Sequence, residues 1–216
     1  MPKAKALDEK IAGKKTSARA ADKKPSRKPR ADATRNRERV LAAAREVFSA
    51  GGADASLEAV ARAAGVGIGT LYRHFPTREA LFEAVYRNEA EQMAALAQRL
   101  EREATPIEAL HRWMRSFIRF VATKRGMVGA LALVVAKDSD VVSYSSGLLT
   151  RAIDELLTRA INAGEIRSDV NAEDLLYTVL AICYARDHSG WQKSALRLVD
   201  VFVDGLRKRP APPGRI

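Results

Sequence analysis

The sequence predicts an all-α protein with an N-terminal unit of three short helices and a larger C-terminal helical domain. Apolar residues recur at the three- and four-residue spacing of amphipathic helices from residue 34 onward, and the alternation typical of strands is absent. Glycine, proline and capping residues separate the predicted helices. The chain has 216 residues, of which 47% are apolar, so it is long enough for one or two compact domains.

The net charge is concentrated at the N-terminus. Residues 1–30 carry eight Lys and three Arg against three acidic residues, and so hold most of the net charge of +11. Residues 1–33 have few large apolar side chains, so burial cannot offset the entropy of ordering, and we predict a disordered basic tail. Such a tail favours salt-sensitive binding to a polyanion, with a merely solubilising tail as the alternative. Residues 209–216 are expected to form a flexible C-terminal tail.

Composition also argues against several classes of protein. A single cysteine, Cys183, excludes an intramolecular disulfide and zinc sites with two or more cysteines. The longest uncharged apolar run, residues 126–136, is about half a membrane span. No apolar segment follows the charged N-terminus, so we expect a cytoplasmic protein without a membrane partner.

Catalytic chemistry has little support in the sequence. There are three histidines, and the glycine-rich run at residues 65–69 does not follow a strand, as a phosphate-binding loop would. We therefore expect no enzyme, no cofactor and no metal site. Cys183 lies on an apolar helical face and is interpreted as a small core residue, with a redox-sensing thiol as the alternative.

The N-terminal unit is predicted from its helix start and stop signals. A first helix spans about residues 36–50 and ends at a pair of glycines. Ser56 caps a second helix at 57–64, and a third helix at 68–75 ends before Pro76. Thr77 caps a long fourth helix that reaches about residue 103. The inward stripe of these helices is predicted to contain Val40, Ala44, Val47, Phe48, Leu57, Val60, Ala61, Ala64, Leu71 and Phe75.

The second and third helices have the spacing of a helix-turn-helix. Gly65 stands where a left-handed turn residue is needed, and Ala61 and Ala64 are small enough to let the two helices cross closely. In this motif, the second helix projects its outer face into the major groove of DNA.

Particular residue strings make this interpretation more specific. A-R-A-A-G-V at Ala61–Val66 is followed by G-T-L-Y-R-H-F at Gly69–Phe75, and the first helix ends with A-A-x-x-x-F-x-x-x-G at Gly52. Residues 34–82 thereby resemble the DNA-binding domain of TetR-type transcriptional regulators. The resemblance implies a homodimeric repressor that a small-molecule effector releases from a palindromic DNA operator. The alternative is a non-specific architectural DNA-binding protein that relies on its basic tail.

The resemblance also implies DNA contacts. Gly67, Ile68 and Thr70 open the recognition helix, at the end that meets base edges. Arg73 is a candidate for a guanine or a phosphate. The positions that match phosphate contacts of the family are Ser56, Tyr72, His74 and Arg78. A packing tyrosine and a structural histidine are the alternatives for Tyr72 and His74.

Residues 83–208 are predicted to form a helical effector-binding and dimerisation domain. Further helices are expected after Pro106, at about 141–163, after the capping residue Asn171, and at about 194–208, while the run at 126–136 must be buried on every side. The resemblance implies an effector cavity, with Trp113, Phe117, Phe120, Met127, Tyr144 and Tyr177 as candidate wall residues. It also implies a dimer interface on the last two helices, with Leu175, Val179, Ile182, Val199, Phe202 and Leu206 as candidates. Plain core packing is the alternative for both sets, and no residue pattern identifies the effector.

Overall fold

The computed structural model describes residues 27–51, 55–135, 140–185 and 190–208, and the side chains of these residues other than 27–30, 51 and 126–135. Within these ranges the protein is all-α, as predicted, and the one β feature is an isolated antiparallel bridge between Ile166 and Arg207. The predicted tails at 1–26 and 209–216 lie outside the described residues. The helices are α1 (Arg27–Gly51), α2 (Leu57–Ala64), α3 (Ile68–His74), α4 (Arg78–Glu103), α5 (Pro106–Val135), α6 (Asp140–Asn162), α7 (Ala172–Tyr184) and α8 (Trp191–Leu206).

The N-terminal unit, here called the head, consists of α1, α2, α3 and the first turns of α4 around a core of its own. Phe48 of α1 packs on Phe82 of α4 with ring centroids 4.3 Å apart, and both side chains are fully buried. The predicted inner stripe contributes to this core except at Val47, which packs partly buried against it. The core comprises Val40, Leu41, Ala44, Phe48, Leu57, Val60, Ala61, Ala64, Leu71, Phe75, Leu81, Phe82 and Val85.

The predicted local signals of the head are confirmed. Ser56 Oγ accepts a hydrogen bond from the backbone N–H of Ala59 at 3.1 Å, and Thr77 Oγ1 accepts one from Ala80 at 3.1 Å. These bonds satisfy backbone donors at the starts of α2 and α4. Gly65 has φ +63°, the left-handed conformation that ends α2 and turns the chain toward α3.

Two helix boundaries differ from the prediction. Helix α1 begins at Arg27 rather than near residue 36, so residues 27–33, which were predicted to be disordered, are helical. The segment is rich in Arg, Lys and Ala, which favour helix, and it extends a helix already nucleated by the packed residues from Val40 onward. Helix α8 begins at Trp191, three residues before the predicted start. The apolar run at 126–136 continues α5 up to Val135, and its side chains lie outside the described set.

The remaining helices, from the rest of α4 to α8, form the body around a second core. Four aromatic residues on α4 and α5 form a continuous row of ring contacts, here called the aromatic ladder. The ring centroids are 5.5 Å apart between Trp113 and Phe117, 5.3 Å between Phe117 and Phe120, and 5.5 Å between Phe120 and Tyr86. The indole N–H of Trp113 donates to the carbonyl of Met93 at 2.9 Å, which ties α5 to α4. Burial of this ladder fixes the crossing of the two longest helices.

Head and body are joined in two ways. Helix α4 is continuous through both and spans about 39 Å. The C-terminal half of α1 also contacts the body, because Ser49 Oγ donates to Thr123 Oγ1 of α5 at 3.2 Å and Arg45 lies 3.7 Å from Glu89 of α4. Helices α4 and α5 therefore both connect the body to the head.

Candidate nucleic-acid interface

The outer face of α3 is exposed, and its inner face is buried. Leu71 is fully buried, whereas Tyr72 is 45% exposed and Ile68 is 38% exposed. Gly67, Gly69 and Arg73 are also exposed, and Thr70 is half-buried. Ile68 and Tyr72 lie one turn apart on this exposed face, which makes it a candidate contact surface.

Neighbouring predicted residues surround this face with hydrogen-bond donors and positive charge. Ser56 caps α2 through its oxygen, which leaves its hydroxyl proton to donate outward. Arg78, at the start of α4, stacks on Phe82 and Phe48, with its guanidinium carbon 5.0 and 5.9 Å from the ring centroids. His74 is half-buried at the end of α3, beside Phe75. Both helix starts also favour anions through their backbone dipoles.

Two arginines of α1 that the sequence did not single out lie against the helix-turn-helix, one at its turn and one at the end of α3. Arg39 Nη2 donates to the carbonyl of Gly65 at 3.3 Å, and Arg37 lies over the Phe75 ring, 5.5 Å from its centroid. Both side chains belong to exposed residues. Their distance along the chain from α3 hid this role, since only the fold brings α1 against the turn.

The candidate effector residues whose side chains the structure describes lie in different environments, and of these Phe120 lines a surface cavity. Trp113, Phe117 and Phe120 are buried in the aromatic ladder. Tyr144 is 41% exposed on α6 and stacks against Arg87, whose guanidinium carbon is 4.7 Å from its ring centroid. Tyr177 is 67% exposed on α7. The side chain of Met127 lies outside the described set.

The candidate dimer residues fall into two groups, one buried and one partly buried. Leu175, Val179, Val199 and Leu206 are buried in the core of the body. Ile182 and Phe202 are partly buried and pack against that core. The large apolar residues that α7 and α8 expose are instead Tyr177, Tyr184, Leu198 and Val201.

Cys183 is a core residue, as predicted. It is fully buried, and its backbone carbonyl accepts a hydrogen bond from Arg125 Nη1 at 2.7 Å. Burial raises the pKa of the Cys183 thiol to about 11, against the opposing charge of Arg125. Since the thiolate is the reactive form, this environment argues against the redox-sensing alternative.

The described part of the chain also holds no site of two other kinds. In these residues, no His, Cys, Asp and Glu side chains group in threes or more to hold a metal ion. Nor does any described helix combine the length and the hydropathy needed to span a membrane.

A capped helix-turn-helix with an exposed second helix, carried on a separate helical body, defines a DNA-binding regulator. Residues 40–85 match the bacterial regulatory proteins of the tetR family, and residues 105–208 match the SbtR-like transcriptional regulator C-terminal domain. The chain belongs to the TetR family of DNA-binding transcriptional regulators.

Individual relatives agree with this assignment. The HTH-type transcriptional regulator UidR of Escherichia coli K12 is 32% identical over 173 residues, which cover 72% of this chain and 85% of UidR. A crystal structure of the TetR transcriptional regulator SCO0520 from Streptomyces coelicolor is 46% identical with a TM-score of 0.73, covering 79% of this chain and 98% of that one. A TetR regulator from Mycobacterium vanbaalenii is 36% identical with a TM-score of 0.66, covering 83% and 99%.

Proposed function

We propose that the protein is a homodimeric, sequence-specific repressor that binds a palindromic operator through α3 and is released by a small-molecule effector. The observation that carries the proposal is the exposed outer face of α3, where Ile68, Tyr72 and Arg73 have no role in the head core. A helix held from behind by Leu71 and presented by a capped turn suits insertion into the major groove.

The roles of the individual residues follow from their chemistry. Thr70 and Arg73 carry the groups that read base edges, and Tyr72, His74, Ser56 and Arg78 donate to phosphates, which sets the register on the duplex. A Cβ atom built on Gly67 or Gly69 would meet no heavy atom within 4 Å, so the backbone at the start of α3 is open to close approach by DNA. Ile68 supplies an apolar contact of the kind that a thymine methyl accepts.

Dimerisation through α7 and α8 is the second part of the proposal. Leu198 and Val201 lie one turn apart on α8 and are 48% and 69% exposed, and Tyr177 is exposed on α7. A two-fold interface on this face would cover these side chains and would present two recognition helices about 34–36 Å apart, one turn of duplex. Val201→Asp should convert the dimer to a monomer, as measured by sedimentation. Asp154→Asn, at an exposed position of α6, should leave the protein a dimer.

Effector control is the third part. The long α4 links the body to the head, so a ligand that favours one crossing of α4 and α5 changes the separation of the two recognition helices. Release requires that the effector bind the two states with different affinity, and linkage then makes operator DNA weaken effector binding by the same factor. Phe117, at the centre of the aromatic ladder, remains a candidate contact for an apolar effector.

Selection of bound sequences from random double-stranded DNA tests the proposal. A palindromic consensus supports the sequence-specific regulator. The architectural alternative draws on the cationic N-terminal segment, and it predicts tight binding with no enriched sequence.

Removal of residues 1–26 is a second test that compares the sequence-specific regulator with the architectural DNA-binding protein. For the specific regulator, the truncation should weaken binding to all DNA and reduce the salt dependence of binding while the consensus stays the same. A changed consensus would mean that the basic segment itself reads sequence.

A further inference from the structure

A long surface groove crosses the body and ends on the head. Two adjoining cavities of about 610 and 500 Å³ lie between α4, α5 and the start of α8. Five residues line both of them, so the two cavities form one continuous depression, here called the α4–α5 groove. The shared lining residues are Leu96, Arg99, Ser116, Arg119 and Gln192.

The centre of this groove has an excess of positive charge. Among the described residues, the guanidinium group of Arg119 makes no ion pair, and that of Arg99 has one distant partner, Glu103 at 3.7 Å. The other cations of the groove have closer acidic partners: Arg45 with Glu46, Arg112 with Glu108, and Arg115 with Asp200. An anion at the centre would therefore meet a guanidinium group that makes no close ion pair in the described chain, its one electrostatic partner there being the more distant Glu89.

The rest of the lining restricts the kind of anion. Met93, Leu96 and Phe120 supply apolar surface beside the two arginines, and Gln192 adds an amide, while the Ser116 hydroxyl already donates to the carbonyl of Arg112. Guanidinium groups recognise planar carboxylates and phosphates through paired hydrogen bonds, while the apolar residues accept a short hydrophobic body. The combination matches small-molecule sites, in which a few polar groups orient a mostly apolar ligand.

The end of the groove nearest the head carries negatively charged residues, unlike the positively charged centre. There the lining is formed by Arg45, Glu46 and Ser49 of α1 and by Glu89 of α4, and both carboxylates already face Arg45. This end repels a second negative charge and so directs the anionic group of a ligand toward Arg119.

We propose that the α4–α5 groove is a binding site for a small organic anion, with its carboxylate or phosphate at Arg119 and Arg99 and its apolar body on Met93, Leu96 and Phe120. Such a ligand contacts the head through α1 and the body through α4 and α5. It thereby restrains the head at the place where Ser49 meets Thr123. The site borders the aromatic ladder at Phe120, whereas Trp113 and Phe117 are buried and do not line the groove.

Calorimetric titration of the full chain with benzoate, phenyl phosphate and neutral benzamide tests the site. Benzoate or phenyl phosphate should bind and benzamide should not, and the preferred anion distinguishes a carboxylate from a phosphate ligand. Arg119→Gln should weaken binding by about tenfold or more, the value of a charged hydrogen bond. The control Arg151→Gln, an exposed arginine of α6 outside the groove, should change it by less than about twofold.

Three results would overturn the site: no heat of binding with either anion, equal binding of benzamide, or equal weakening by both arginine variants. Arg99→Gln serves as a second variant if Arg119→Gln lowers the melting temperature. The coupling between anion binding and DNA binding by the head rests on the proposed function. It is tested by measuring the affinity for the operator with and without the bound anion. An unchanged operator affinity would overturn the coupling alone, and a protein that selects no operator would refute the proposed function while the titration still decides the site.

Discussion

The head and the body of this regulator are stabilised in different ways. In the head, side-chain caps begin α2 and α4 and a left-handed glycine ends α2, around a small core centred on Phe48 and Phe82. In the body, long helices cross over a ladder of aromatic rings anchored by the hydrogen bond of Trp113. The position of α3 therefore depends on local backbone features, whereas the crossing of α4 and α5 depends on side-chain packing.

Truncation of the aromatic ladder should have the largest effect on stability. Trp113→Ala removes a fully buried indole and its hydrogen bond to the Met93 carbonyl, so the free energy of unfolding should fall by about 3–5 kcal/mol. Urea denaturation followed by circular dichroism measures the loss.

The matching change in the head is Phe48→Ala, which should cost a similar amount but unfold the head first. DNA binding should then be lost while the helical signal of the body persists at low urea. A single transition that lowers both signals together in Phe48→Ala would contradict the separation of the two cores.

A pair of glycine variants tests the dependence of the head on its turn. Gly65→Ala forces a side chain into a left-handed conformation and places its Cβ 2.5 Å from Arg39 Nη2, so the free energy of unfolding should fall by about 1–2 kcal/mol. Gly69→Ala, in a helical position with open space around it, should instead raise stability by about 0.5–1 kcal/mol. Thermal unfolding of both variants measures the contrast, and equal shifts would contradict the role of the turn.

The carboxyl group of Glu89, at the junction of head and body, should make stability depend on pH. Burial raises its pKa, while Arg45 and, more weakly, Arg119 oppose this shift and Glu46 adds to it. Since the charged form is disfavoured in the folded state, the stability of the protein relative to Glu89→Gln is highest below the ordinary pKa of a glutamate. It should decline as pH rises through the raised pKa. Urea unfolding of the wild-type protein and Glu89→Gln, at pH values from below the ordinary glutamate pKa to above the raised one, measures this decline. A relative stability that increases with pH would contradict the claim that burial raises the pKa of Glu89.

The smallest effect is expected at Cys183. Because its thiol is buried and its pKa is about 11, a thiol reagent at neutral pH should react with the folded protein far more slowly than with the protein in urea. Rapid modification of the native protein would reopen the redox-sensing alternative.

The same contrast explains what the sequence predicted. Ser56, Gly65 and Thr77 act on the backbone within a few residues of themselves, so their roles follow from the local sequence. The exposure of Tyr144 and Tyr177 depends on which helices pack against α6 and α7, and an apolar stripe does not specify its partner. Arg39 reaches the turn, and Arg37 reaches the end of α3, only because the fold brings α1 against these elements. The start of α1 at Arg27 could not be predicted either, because the helix extends there without an apolar stripe that would indicate packing.

The affinity of two tyrosine variants for a selected operator is the most direct test of the claim that α3 contacts DNA. Tyr72 of α3 and Tyr144 of α6 are similarly exposed, at 45% and 41%, so truncation of either should change folding little. We expect Tyr72→Ala to weaken operator binding by about 1–3 kcal/mol, a cost typical of an important DNA contact, and Tyr144→Ala to leave the ligand-free affinity unchanged. Equal affinities for the two variants, or a loss for Tyr72→Ala that only follows its melting temperature, would contradict the account.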